Sequence, residues 1–296
     1  MVRFGLAILP ERPWSEAERQ WRTAEELGFD HAWTYDHLVW AGLPDSPWYG
    51  TTPTLTAAAL VTSGLGLGTF VSSPNYRHPA VFYRDVQSLD DVSGGRFLLG
   101  IGNGADLDSG ILGGPAWSSR ERVDRFQEFT RLLLRLRDED HVTSEGRWFS
   151  TDDMRTLPRV NHVPVLVAAN GPRSVRFAAH HGDGWITTGP RLSPSLDAWL
   201  DGLDTSRTTL DEALAEADRD VDAYPRYVNL DSSPVYSLSS PETFADLVRR
   251  VGDLGFTDVI SHWPRASNPY AGDEATLETV ATKVIPELRT WPAAGG

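Results

Sequence analysis

The chain has no cysteine, so disulfides and thiolate metal ligands are excluded. It has one lysine, Lys283, and arginine carries the rest of its positive charge. Positive charge is scarce altogether: 27 basic residues face 41 acidic ones, for a formal net charge of −14. Nucleic-acid binders and proteins of anionic membranes need a basic patch, and no such Lys/Arg cluster occurs. No apolar run approaches the ~20 residues that cross a bilayer. The opening stretch MVRFGLAILP is too short in apolar residues for a secretory leader and reads as a first strand. The eight histidines show no H-E-x-x-H spacing, and His180 and His181 are adjacent rather than one helical turn apart, so no metal site is expected. No G-x-S-x-G elbow supports a serine hydrolase. These absences fit a cytoplasmic protein with neither nucleic-acid nor membrane partners.

What is present is a chain of 296 residues, 40% hydrophobic, long enough for one α/β barrel domain over 1–296. Short apolar runs bounded by turn residues predict eight strands at 3–8, 31–35, 65–71, 97–101, 163–168, 184–187, 227–231 and 258–261. Helices fall between them. Ser15 with Glu18 and Ser118 with Glu121 have capping-box spacing, and Ser240 precedes Pro241 at a helix start. The alternation predicts a (β/α)8 TIM barrel, with a doubly wound sheet as the alternative. The polar stretch 137–162 fits neither strand nor helix. It reads as an insertion before the fifth strand, with a hairpin near Gly146, placed to cover the barrel mouth or to contact a second subunit. Most of the 11 tryptophans are expected in the core or at subunit contacts, with one or two lining a pocket for a flat ligand.

Chemistry in parallel sheets gathers where strands end. The block 65–104 reads as one βαβ unit with unusual strand ends: Ser72-Ser73-Pro74-Asn75 and Gly102-Asn103-Gly104. The run 100–104 misses the G-x-G-x-x-G fingerprint because position 105 is Ala, so its glycines serve close backbone approach to a ligand. After the second strand, His37 is either a proton-transfer group tuned by Asp36 or a structural histidine in a capped turn; Trp40 can wall off a planar ring. Thr69 and Ser73 offer hydroxyls to a heterocycle, or form an ST-turn. Arg77 can pair with a carboxylate or a phosphate. Asp106 and Asp108 are either acids near a reacting carbon or solvated loop carboxylates. Ala169, Asn170 and Gly171 lead into a helix whose first turn, with Arg173 or Ser174, makes a natural phosphate seat. Trp185 reads as core.

Taken together, Ala24–Asp30, Asp36-His37 with Trp40, the block 67–104 and the stretch 168–185 resemble the bacterial luciferase-like oxidoreductases. The resemblance covers most of the chain. It implies a (β/α)8 barrel with an insertion, commonly a homodimer, that binds a flavin or its deaza analogue F420 at the C-terminal mouth. It puts Asp36 and His37 beside the isoalloxazine and Trp40 near the substrate. It puts a non-prolyl cis peptide at Phe70-Val71, Asn103 on the coenzyme, and Asn170-Gly171 at its tail or phosphate. One departure stands out: sugar-phosphate dehydrogenases of the family carry Glu where this chain has Ala105, unless Asp106 or Asp108 substitutes. Three readings follow. The first is a reductase passing hydride from reduced F420 to a C=C or C=N bond, with His37, Trp40 and Asp106 catalytic. The second is an FMN-dependent monooxygenase, and the third is a non-catalytic flavin-binding barrel.

Overall fold

A computed structural model describes residues 2–159 and 163–291. Eight parallel strands close a barrel: β1 Arg3–Ala7, β2 His31–Thr34, β3 Gly66–Thr69, β4 Phe97–Ile101, β7 Val165–Ala168, β8 Gly184–Thr187, β9 Arg226–Asn229 and β10 Asp258–His262. Strand β10 returns to pair with β1, from Arg3 opposite Asp258 to Ala7 opposite His262. This is the expected (β/α)8 barrel, and all eight predicted strands are present within one or two residues of their predicted limits. The doubly wound alternative falls because the sheet has no edge.

Around the barrel run α1 Trp14–Glu26, α2 Thr51–Val61, α3 Pro79–Ser93, α4 Asp106–Ile111, α5 Ser119–Asp138, α6 Pro172–His181, α7 Leu196–Glu216 and α8 Pro241–Asp253. The last crossover is α9 Glu274–Thr279, a π turn over Val280–Val284, and α10 Ile285–Thr290. Helix α8 shows why such segments are helical. Ser240 accepts the amide of Thr243, Pro241 occupies the first turn, and Phe244, Leu247, Val248 and Val251 bury one face. Ser118 and Glu121 form the expected capping box of α5. The capping box expected at Ser15 does not form. Pro13, with φ of −59°, starts α1 at Trp14, which places Ser15 inside the helix and leaves Glu18 to pair with Arg22.

Two apolar cores result. The larger lies between strands and helices, and the smaller fills the barrel with Trp33, Tyr35, Phe70, Leu166, Ile186, Tyr227 and Ile260. The glycines of β3 have a packing reason: a methyl on Gly68 would collide with the Trp33 ring. Trp185 is fully buried, as expected. Beneath this layer the barrel floor is polar. His31 bonds Asp258 at 3.0 Å and accepts the Trp33 indole N–H at 2.6 Å, while Arg3 pairs with Asp258 at 2.9 Å.

The insertion before the fifth strand contains an antiparallel hairpin, β5 Val142–Ser144 with β6 Thr151–Met154. Residues 160–162 of the predicted insertion lie outside the described residues. The hairpin does not cover the mouth. It lies along the outside of the barrel, where Glu128 of α5 accepts the amides of Arg147, Trp148 and Phe149. Arg84 and Gln87 of α3 bind the carbonyls that follow β6.

Candidate active site

The C-terminal ends of the strands surround a cavity of about 660 Å³. The expected site residues His37, Trp40, Phe70, Val71, Asn103, Ala169, Asn170 and Gly171 all fall on its lining, together with Ala105 and Ser174. Strand ends far apart in sequence thus meet in one cavity. The Phe70-Val71 peptide is cis. Among the described lining residues no side chain is a carboxylate, lysine or arginine; His37 and the tyrosines Tyr35 and Tyr270 supply its ionisable groups.

His37 is oriented from behind. Its Nδ1 lies 2.8 Å from Oδ2 of Asp108, whose side chain is 1% exposed. The other oxygen of Asp108 accepts the amides of Leu38 at 2.9 Å and Val39 at 3.3 Å. A carboxylate accepts only, so Nδ1 carries the proton and Nε2 is left for the cavity. Asp108 therefore aligns His37, and Asp36 does not. Side chains alternate along a strand, so His31, Trp33, Tyr35 and His37 point into the barrel and Asp36 points away.

Asp36 is buried behind the wall and accepts from Ser72, Tyr76 and both terminal nitrogens of Arg77, at 2.7 and 2.8 Å. Burial alone would push its carboxyl up. The Arg77 guanidinium and these hydrogen bonds outweigh burial and hold it below the usual carboxylate range. Arg77 thus pairs with a carboxylate of its own chain. Thr69 and Ser73 also sit behind the lining: Thr69 bonds the carbonyl of Gly100 at 2.7 Å, and Ser73 caps the short turn Pro74–Tyr76. Asp106 lies outside the cavity and is ion-paired with Arg122.

On the opposite side Asn170 clamps the end of β8. Its carbonyl accepts the Thr187 hydroxyl at 2.8 Å and the Thr188 amide at 3.1 Å, and its NH2 donates to the Thr188 hydroxyl. Gly171 precedes α6, so the first turn of that helix borders the cavity, with Ser174 on the lining. Arg173 turns outward to Asp124 and Gln127. Four further polar groups, not expected from the sequence, gather at the end of the barrel formed by β2, β9 and β10. The Tyr35 hydroxyl is 2.8 Å from Nε2 of His262, whose Nδ1 is 2.9 Å from Asp231, and Tyr270 stacks on His262. Alternation from Asp258 through Ile260 to His262 was the signal that could have found this histidine. Burial, offset in part by the hydrogen bond with Tyr35 and assisted by Asp231, pushes the Tyr270 hydroxyl up to about 12. Burial also raises Tyr35 well above the usual phenol range.

Comparison with known proteins places this cavity in a family. The family described as luciferase-like monooxygenase matches residues 1–230. The F420-dependent glucose-6-phosphate dehydrogenase of Intrasporangium calvum is 31% identical over 322 residues, covering 90% of this chain and 92% of that protein. The F420-dependent hydroxymycolic acid dehydrogenase of Mycobacterium tuberculosis is 35% identical over 56% of this chain and 46% of its own length. Among solved structures, the coenzyme F420-dependent tetrahydromethanopterin reductase of Methanopyrus kandleri superposes with a TM-score of 0.78. It is 20% identical, over 97% of this chain and 99% of that one. The profile match spans β1 to β9 and every strand end that carries a site residue named in the sequence reading, and by it the chain belongs to the luciferase-like monooxygenase family.

Proposed function

We propose that this protein is an F420-dependent oxidoreductase that reduces a C=C or C=N bond of a small organic substrate. Bound reduced F420 supplies a hydride. The chain's own part is to seat a flat ring, exclude water and handle one proton. Phe70, Val71, Gly102 and Ala168 give the cavity apolar or small-residue walls, and Gly102 leaves no room for a side chain because a methyl there would press on Val71. These walls fit a planar tricycle. Asn103, on the cavity lining, offers an amide to a ring edge. Asn170, Gly171 and the first turn of α6 are positioned for a phosphate or an anionic tail.

The observation that carries the reading is the His37–Asp108 pair on a cavity wall that, among the described residues, has no other charged side chain. Its Nε2 can hold a proton at the reacting atoms while Asp108 stabilises the imidazolium. Trp40 packs edge-on to Tyr35 with ring centroids 5.1 Å apart and closes the substrate side. Relatives named glucose-6-phosphate dehydrogenases point to the cofactor class, whereas the sugar-phosphate substrate suits this cavity poorly. Ala105 stands on the lining, Asp106 and Asp108 are engaged elsewhere, and among the described residues no lining lysine or arginine would meet a phosphate ester. The homodimer implied by the family resemblance belongs to the same proposal; light scattering on the purified protein tests it.

The deciding experiment is a titration of tryptophan fluorescence with F420 and, separately, FMN. Saturable quenching by F420 at lower concentration than by FMN supports the reading. Tight FMN binding with no response to F420 replaces it with the FMN-dependent monooxygenase.

A further inference from the structure

A chain of hydrogen bonds separate from His37–Asp108 ends at the cavity wall. Tyr35 and Tyr270 border the cavity, with hydroxyls 3.4 Å apart. Behind them the His262 side chain is 0% exposed and that of Asp231 1%. The Tyr270 ring covers His262 at 3.7 Å, only 8° from parallel. Tyr35 is therefore the link between the buried histidine and the cavity. Asp231 is fully engaged: one oxygen accepts the amide and Nδ1 of His262 at 2.5 and 2.9 Å, the other the amide of Ser237 at 2.8 Å. Tyr236 donates to the His262 carbonyl at 2.9 Å, His37 packs edge-on to the Tyr35 ring, and Arg265, paired with Glu11, lies near Tyr270.

We propose that Tyr35 is a second acid–base group of the site, positioned by His262 and Asp231, that binds a carbonyl oxygen of the substrate, and that the C=C bond reduced is conjugated to this carbonyl. The proposal rests on the reductase reading above and adds the substrate class. Asp231 fixes the proton on Nδ1 of His262. When Nε2 is also protonated it donates to the Tyr35 oxygen, which frees the Tyr35 proton for an acceptor in the cavity. Hydride then adds to the β-carbon, the C=C electron pair moves to form the enol, and the carbonyl oxygen gains the Tyr35 proton. Tyr35 recovers a proton from Nε2. As the enol becomes the saturated ketone, its α-carbon takes a proton from solvent and its O–H proton returns through Tyr35 to His262. One hydride and one solvent proton are consumed. Tyr35 touches the reacting molecule, whereas His262 and Asp231 act through it.

The test uses the full chain labelled with 15N-histidine, without cofactor, and cyclohex-2-enone as probe. His262→Gln assigns the His262 signals. Cyclohex-2-enone should move the Nε2 resonance in the native chain, and cyclohexene, which lacks the oxygen, should not. Tyr35→Phe should abolish that response and weaken enone binding about tenfold, the loss of one hydrogen bond, with cyclohexene binding unchanged. Equal enone affinity in the native chain and Tyr35→Phe, or an Nε2 signal indifferent to the enone, overturns the proposal. If Tyr35→Phe melts early, the contrast between enone and cyclohexene in the native chain decides alone. The F420 titration is a separate readout: lost quenching with an intact His262 response removes the cofactor reading and leaves the oxygen subsite standing.

Discussion

His37 and Asp36 are neighbours in sequence with opposite fates, one facing the cavity and the other a buried salt bridge. Replacing His37 by Ala should lower kcat on an established substrate by about 10²- to 10⁴-fold, the range for loss of a general acid or base, with F420 affinity nearly unchanged in fluorescence titration. Asp108→Asn should reproduce part of that loss, since Nδ1 would lose its charged partner. Asp36→Asn should act on stability instead. It leaves the Arg77 guanidinium, 13% exposed, without its carboxylate, a loss of roughly 3–5 kcal/mol in chemical denaturation at neutral pH. The lowered folded-state pKa sets the sign. The carboxylate's contribution is complete above the unfolded value near pH 4 and fades as pH falls through the lower folded value, so the gap between native chain and variant should shrink in strong acid. The residue types of the site were legible because strand ends in a parallel sheet are few. The pairings were not. Asp108 reaches His37 across 71 positions, and no local pattern encodes such a contact.

Elements were read more securely than partners. Apolar runs with turn residues at both ends set all eight barrel strands, and the capping box at Ser118 and the helix start at Ser240-Pro241 both formed. At Ser15 a proline did compete, and the helix began two residues earlier, with Pro13 at the N-cap position. Removing the α5 cap with Ser118→Ala should cost about 1 kcal/mol in thermal or denaturant unfolding. A sharper test lies between β3 and β4. A methyl on Gly100 would run into the carbonyl oxygen of Thr69 and crowd Val71, so Gly100→Ala must move backbone at the cavity wall. It should lower stability by about 1–3 kcal/mol and weaken F420 binding with it, whereas Ser118→Ala should leave binding alone. The hairpin before β7 was legible in composition. Its docking along α3 and α5 was not, because it depends on Glu128 and Arg84, which look like ordinary solvent-facing helix charges in sequence.

At the scale of the molecule, closure of the sheet does the functional work. It converts eight separate strand ends into one ring, and so brings Asn103 and Asn170 to the same cavity as Trp40. Net negative charge is compatible with this site, because the cavity wall itself carries no acidic side chain among the described residues and the proposed phosphate seat is backbone at a helix start. No helix among the described residues is long and apolar enough to cross a membrane. The central claim is that this ring of strand ends seats a tricyclic redox cofactor. A crystal structure of the protein grown with F420 tests it most directly. The account predicts the deazaflavin ring against Phe70-Val71 and Ala168, with His37 and Trp40 on its substrate side and the anionic tail running to Gly171 and Ser174. A ring bound on any other face of the barrel, or a mouth cavity left unfilled at saturating F420, would contradict it.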